Sequence, residues 1–262
     1  MAMKILVTFA VESEFAPWRK LRPFFRFQYN DLQLWRSEWG DTQLTVLVTG
    51  VGTDAASWVM DLMMRMADDA KNFDICISSG LAGALQDCLS IGDIFAPQSL
   101  ISERHHADLQ TDRLTVDEPL RQQALFHGAK TSDCLFTTDR ILTKATEKQA
   151  CSSRAQSVDM ESFEIVKEAS AWGARSVVIR GISDNARENL PINFNLTLSR
   201  DDHISIPRVL LQVAKKPWAL PALIRFGRQS QRAASNLAQF LENYVNAVSI
   251  ENSTERVEAA AQ

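Results

Sequence analysis

No apolar run in this 262-residue chain reaches the length of a membrane span, so a helical membrane protein is excluded. The opening residues MAMKILVTFAVESE offer only a short apolar stretch before acids arrive. That is too little for a secretory signal, and a cytoplasmic protein is expected. Cysteine is sparse: Cys76, Cys88, Cys134 and Cys151 show no CxxC or Cys/His spacing. With Cys76 and Cys134 inside apolar runs, they predict structural thiols in a reducing compartment rather than a metal or redox centre. Basic charge is not in excess either, since 28 Lys and Arg stand against 32 Asp and Glu for a net charge of -4. This balance gives no global reason to expect a nucleic-acid partner. The remaining composition, 45% hydrophobic and 23% charged, is that of a globular chain long enough for one large domain with a sizeable core.

What the chain does have is concentrated between Ser157 and Ala186, SVDMESFEIVKEASAWGARSVVIRGISDNA. A short strand ending at Asp159, a helix from about Met160 to Trp172 and a second strand from Ser176 to Gly181 are predicted. Met160, Phe163, Val166 and Ala169 recur at helical spacing, and Val177-Val178-Ile179 is an unbroken β-branched run suited to a parallel strand buried on both faces. Met160-Glu161 then stands at one strand exit and Ser183-Asp184 just past the next. Open α/β sheets bind ligands at the carboxyl ends of their strands, so Glu161 and Asp184 are candidates for chemistry.

The same polarity repeats along the chain. Lys4 to Phe9 reads as a buried strand, followed by a helix to about Leu21 whose start carries Glu12 and Glu14. Two residues apart on a helix, these acids point to nearly opposite sides, so one of them faces the pocket. Leu32 to Glu38 and Gln43 to Thr49 predict a hairpin around Trp39-Gly40-Asp41. Thr49-Gly50-Val51-Gly52-Thr53 leads into an amphipathic helix from Ala55 to about Met66, its glycines suited either to a tight turn or to close approach of backbone to a ligand. Phe73 to Ile77 predicts a strand that exits into a small-residue loop, Ser78-Ser79-Gly80-Leu81-Ala82-Gly83. Ile91 to Pro97 and Asp133 to Thr137 predict further strands, with a helix near Leu120 to His127 between them. His105 and His106 are adjacent in a loop with no third ligand, and no metal is assigned. Strands and helices alternating in this way predict a mixed, largely parallel sheet covered on both faces.

Beyond Asn185 the texture changes. Ile204 to Val245 is helical in pattern, broken by Pro207, Pro217 and Pro221, and carries Arg208, Lys215, Lys216, Arg225, Arg228 and Arg232 against the single acid Glu242. This segment fits a helical extension packed on the domain or on a second subunit, with its charges solvated. It also fits peripheral contact with an anionic membrane, because interfacial helices set cationic heads over an apolar face. From Ser249 to Gln262 the chain is polar and alanine-rich, and a flexible tail is expected. The expected division is 1–200 for a catalytic domain, 201–248 for the extension and 249–262 for the tail.

VDMES before its helix and VVIRGISDNA after it resemble the purine nucleoside phosphorylase and nucleosidase superfamily. Upstream, ILVTFAVESE, VTGVGTDAAS, ISSGLAGALQDCLSIGDI and TTDRIL follow in that family's order, with most similarity to methylthioadenosine/adenosylhomocysteine nucleosidases. The segments TTDRILTKATEKQA, SVDMES and LPINFN, with the basic C-terminal helices, are similar to hopanoid-associated nucleosidases, which remove adenine from adenosylhopane. The resemblance implies an α/β fold, a nucleoside phosphorylase-like sandwich with a central mixed β-sheet flanked by helices, plus a C-terminal helical extension. It also implies a small-molecule nucleoside substrate, no cofactor and a homodimer.

Residue by residue, the resemblance implies that Asp184 protonates N7 of the leaving purine, supported by Ser183. Glu161 with Met160 would clamp the ribose hydroxyls, Glu14 would hold the attacking water or a ribose hydroxyl, and Arg180 would stand beside that nucleophile. Ile141 and Leu142 would line the purine, Phe194 the 5′ substituent, and Gly80-Leu81 a further part of the substrate site. The chemistry asks for such groups, because N-glycosidic cleavage builds positive charge on the ribose and negative charge on the departing base. Phosphorylases of the superfamily hold phosphate with an arginine before the glycine-rich loop and a Gly-Asp-Pro segment after the first strand. Ser78-Ser79 and FAVES stand there instead, which favours water as nucleophile. Leu81 and Ile141 also depart from the nucleosidases, which place a serine and an aromatic at those positions. Two alternatives remain: a phosphorylase whose phosphate ligands are Arg104 or Arg180, and a non-catalytic nucleoside-binding relative.

Overall fold

The structure, a computed structural model, describes residues 2–29, 32–65, 73–104, 113–197 and 206–260, with backbone alone for Met64, 206–207 and 252–260. The adjacent His105 and His106 lie outside the described residues. Its strands are β1 Met3–Phe9, β2 Phe25–Tyr29, β3 Leu32–Trp39, β4 Thr42–Val48, β5 Ile75–Ala84, β6 Ile94–Ser102, β7 Leu114–Thr115, β8 Lys130–Thr137, β9 Ser157–Asp159 and β10 Arg175–Asp184. The helices are α1 Glu12–Leu21, α2 Thr53–Arg65, α3 Glu118–Phe126, α4 Ala145–Cys151, α5 Ser162–Ala171, α6 Ile206–Lys215 and α7 Leu220–Ala260.

One mixed sheet runs in the order β10-β6-β8-β9-β5-β1-β4-β3-β2, with β7 on β6. Because β5 also pairs with β10, the strands β5, β10, β6, β8 and β9 close into a ring. β1 is parallel to β4 and β5, and β10 is parallel to β5. The β2-β3-β4 meander is antiparallel. Alternation within the apolar strands shows why they read as unbroken runs. In β10, Val177 and Ile179 enter one core cluster and Val178 enters another on the opposite face. In β1, Ile5 and Val7 belong to the first cluster while Leu6 belongs to a third, under α2 and α5. Helices on both faces therefore bury both sets of side chains.

The helical C-terminal segment is less of an appendage than its composition suggests. Leu237, Leu241, Tyr244 and Val245 of α7 are fully buried in the cluster formed by β1, β5 and β10. Each such side chain contributes about 1.5–3 kcal/mol of burial. Tyr244 additionally donates to the Leu120 carbonyl at 2.9 Å, and Glu242 accepts from Trp18 at 2.8 Å, tying α7 to α3 and α1. α7 extends as far as Ala260, past Ser249, where the flexible tail was expected to begin. Pro221 does not break it, because it occupies the second helical position, where its missing N–H has no intrahelical partner to lose.

Other boundaries differ from expectation for identifiable reasons. Ser78 to Gly83 is not a loop: β5 continues to Ala84, paired with β10 through Gly83 and then with β9. α5 starts at Ser162 rather than Met160, since the Asp159 carboxylate accepts from the Ser162 amide at 3.1 Å and fixes an entry turn. Ser183 and Asp184 are the last residues of β10 rather than a turn beyond it. Between Ile182 and Asp184 the register against β5 slips by one residue, leaving Ser183 extra. β2 and α4 were not anticipated from the sequence.

Candidate active site

The carboxyl ends of β1, β5, β8, β9 and β10 surround a cavity of about 210 Å³. Glu14, Leu81, Ile141, Leu142, Met160, Glu161, Ser183, Asp184 and Phe194, all singled out in the sequence, line it. Arg180 and Gly80 do not line it but lie directly behind the wall. Of the two N-terminal acids, Glu14 is buried and Glu12 is exposed, as their helical spacing requires.

One end of the cavity holds three carboxyl groups around one guanidinium. Arg180, 1% exposed, meets Asp159 Oδ2 at 2.8 Å and Glu161 Oε2 at 3.7 Å. It also donates to Ser162 Oγ at 2.9 Å and to Ser78 Oγ at 3.3 Å. The Glu14 carboxylate accepts from the Leu81 amide at 3.0 Å and the Ala10 amide at 3.2 Å. Glu161 Oε1 accepts from the Gly52 amide at 3.0 Å. Of the two glycines before α2, Gly52 thus aims its backbone at a carboxylate of the protein, at φ +103°, whereas the Gly50 amide donates to the Ala10 carbonyl. One cation cannot offset three buried anions. Burial pushes Glu161 up to about 8, with Arg180 opposing and Asp159 reinforcing, and burial likewise raises Glu14 against the pull of Arg180. Gly80 is required beneath this cluster: a Cβ there would lie 2.5 Å from Arg180 Nη1 and 2.9 Å from Glu14 Oε2, at φ +135°.

The other end presents Asp184. The extra residue in β10 is a bulge of the kind that re-aims a side chain, and Ser183 Oγ donates to Asp184 Oδ1 at 2.6 Å. Asp184 Oδ2 is ion-paired with Lys148 of α4, which the sequence reading missed. Lys148 sits in a short polar helix that reads as a solvated surface, so no pattern could have flagged it. Gly83 lets the carboxyl approach, since a Cβ there would be 3.1 Å from Asp184 Oδ2.

Ile141 and Leu142 also line the cavity. Both backbone groups of Ile141 are engaged by Asn195, whose side chain accepts from its N–H at 2.8 Å and donates to its carbonyl at 2.9 Å. Ile141 therefore offers the cavity a side chain rather than a backbone edge. Part of the remaining wall is apolar: Phe194 packs on Phe226 of α7 at 5.2 Å between ring centroids, with Leu190 beside them. Phe226 was also missed, being remote in sequence from every motif, and Leu190, although it opens LPINFN, was given no role. Arg104, a candidate for phosphate, is paired with Asp54 at 2.6 Å and Asp139 at 2.8 Å.

Known proteins share this fold. A 5′-methylthioadenosine/S-adenosylhomocysteine nucleosidase of Shewanella baltica is 26% identical over 193 residues, covering 64% of this chain and 78% of the relative. The enzyme of the same name from Buchnera aphidicola is 25% identical over 215 residues, covering 73% and 89%. Among solved structures, Helicobacter pylori 5′-methylthioadenosine/S-adenosylhomocysteine nucleosidase with butyl-thio-DADMe-Immucillin-A superposes with a TM-score of 0.71 at 19% identity, covering 94% of this chain and 99% of that one. Futalosine hydrolase of the same organism gives a TM-score of 0.71 at 19% identity, with the same coverage. The family model described as the phosphorylase superfamily matches residues 4–246, and the chain belongs to that superfamily.

Proposed function

We propose that the chain is a nucleosidase that hydrolyses the N-glycosidic bond of a purine nucleoside, with adenine as base and a bulky or apolar 5′ substituent. The observation that carries this reading is one cavity with Asp184 at one end and the Glu14–Glu161–Arg180 cluster at the other. In the reaction the C1′–N9 bond breaks and its electron pair leaves with the base. Asp184 delivers a proton to N7, water adds to C1′, and the proton released from that water passes to Glu14. A carboxyl with a raised pKa is suited to the base role near neutral pH, and Glu161 holds the ribose hydroxyls. Leu190, Phe194 and Phe226 supply an apolar wall for the 5′ group.

Phosphorolysis finds less support. Arg180 is bound by Asp159 and Ser162, and Arg104 by Asp54 and Asp139, so both guanidiniums already have anionic partners. The test is chromatography of free base released from a nucleoside panel, with and without phosphate. Phosphate-independent adenine release that falls by about 10³-fold or more in Asp184→Asn supports the reading. Strict phosphate dependence, or no release from any nucleoside, defeats it.

An amphiphilic nucleoside such as adenosylhopane would fit the chain's outer surface. Leu210, Leu211, Trp218, Leu220 and Ile224 are exposed next to Lys215, Lys216 and Arg228, and residues 206–241 contain no acid. This face supports peripheral contact of a cytoplasmic homodimer with anionic lipid. Among the described residues no helix is long and apolar enough to cross a membrane. Co-sedimentation with anionic vesicles that is lost in Leu211→Glu with Trp218→Glu is expected, and sedimentation velocity reports the dimer.

A further inference from the structure

Lys148 is the one buried cation among the residues lining the cavity, and neither the family resemblance nor the proposed reaction has a use for it. It lies in the middle of α4, seven residues long, and is only 1% exposed. Burying an ammonium costs several kcal/mol unless its hydrogen bonds are replaced. Here all three donors are accounted for, by Asp184 Oδ2, the Asn185 carbonyl at 2.7 Å and the Glu188 carbonyl at 3.2 Å. None is left to hold a ligand directly, and its charged partner is Asp184. The helix itself is braced. Glu147 Oε2 accepts from the Thr143 and Lys144 amides at 3.0 Å each, and Asn189 Oδ1 accepts from the Ala145 amide at 2.8 Å. α4 and the 185–189 stretch are therefore held to one another by the Asn189 bond and by the bonds of Lys148.

The geometry points to Lys148 as a positioning residue through which Asp184 acts. The ammonium fixes Oδ2 while Ser183 holds Oδ1, and its charge offsets the carboxylate left once Asp184 has given its proton to the base. The inference rests on the glycosidic hydrolysis proposed above. A counter-ion already in place needs no reorganisation as the bond to the base breaks, so its effect falls on the chemical step rather than on substrate binding.

The leaving group separates this role from a merely structural one. Adenine needs a proton at N7, whereas 4-nitrophenolate departs as a stable anion without one. The full-length protein and its Lys148→Met and Lys148→Arg variants are compared on an adenine nucleoside and on the 4-nitrophenyl riboside carrying the same 5′ group. In Lys148→Met, kcat for adenine release falls on the order of 100-fold with KM nearly unchanged, while nitrophenolate release changes less than about 5-fold. Lys148→Arg recovers part of the loss. A parallel loss for both leaving groups, or undiminished adenine release, overturns the assignment. Should Lys148→Met not fold, the double variant Lys148→Met with Asp184→Asn leaves no charge unpaired and is compared with Asp184→Asn alone. Equal rates are expected, and a further loss of about 10-fold or more in the double variant overturns the role, because residues acting through one another are non-additive. A wild-type protein that releases neither group rejects the nucleosidase reading and the inference with it, a result distinct from a parallel loss in the variant.

Discussion

The two ends of the cavity are built from the same two ingredients in different proportions. At one end Glu14, Asp159 and Glu161 share Arg180; at the other Asp184 has Lys148 to itself. A shared cation leaves buried carboxyls under-compensated, and they respond by holding protons at higher pH. A private cation gives its carboxylate a counter-charge within direct contact. The difference teaches that the ratio of charges behind the wall, rather than the identity of the residues facing the ligand, separates the groups proposed for the ribose from the group proposed for the base.

Breaking the base end has the largest expected effect. Asp184→Asn removes the acid while keeping its shape, and base release measured by chromatography falls by about 10³-fold or more, while the melting temperature drops because the buried Lys148 ammonium loses its counter-ion. At the other end, Glu161→Gln lowers kcat/KM by roughly 100-fold and alters the dependence of stability on pH. The sign follows from the raised value. Between about 4.5 and about 8 the unfolded chain has released the Glu161 proton and the native protein still binds it. Stability is therefore highest at the acid end of that window and is lost as pH rises through it. Thermal melts across this range show a downward slope in the wild-type protein and a shallower one in Glu161→Gln.

Smaller changes sharpen the contrast without touching a charge. Gly80→Ala drives a methyl into Arg180 and Glu14 at a backbone angle that disfavours any side chain, and chemical denaturation registers a loss of about 2–4 kcal/mol. Gly83→Ala meets the Asp184 carboxylate at 3.1 Å, where a shift of a few tenths of an ångström relieves it. It costs less than about 1.5 kcal/mol in the same denaturation measurement but lowers the rate of base release. Phe226→Ala is the mildest: KM rises about 10-fold for a nucleoside with an apolar 5′ group and hardly moves for one with a bare 5′ hydroxyl, because the lost contact is confined to that wall.

Legibility differed between parts of the molecule for physical reasons. The buried strands β1 and β10 were readable because β-branched runs flanked by polar punctuation have few other uses, and β8 because its apolar run Cys134-Leu135-Phe136 is short and bounded by polar residues. β2 was missed since its alternating FRFQY is short and largely exposed at the sheet edge. β5 was cut short because small residues look like a loop, whereas pairing to β10 and β9 keeps them extended. In the site, Glu14, Glu161 and Asp184 stood at expected strand exits, so their convergence followed from strand polarity alone. Lys148 and Phe226 had no such marker, and Asp159, although it ends a predicted strand, carried no sign of its pairing with Arg180.

By itself the sequence determined the alternation of strands and helices, the end of the sheet where carboxylates gather, and that the two N-terminal acids face opposite ways. These depend on local periodicity, which neighbouring residues carry among themselves. Only the tertiary structure decided which charges pair, where the bulge at Ser183 aims Asp184, and that α7 both completes the core and supplies Phe226 to the wall. Those features depend on contacts between residues as far apart as Lys148 and Asp184 or Trp18 and Glu242, and on desolvation that exists only after the chain has packed.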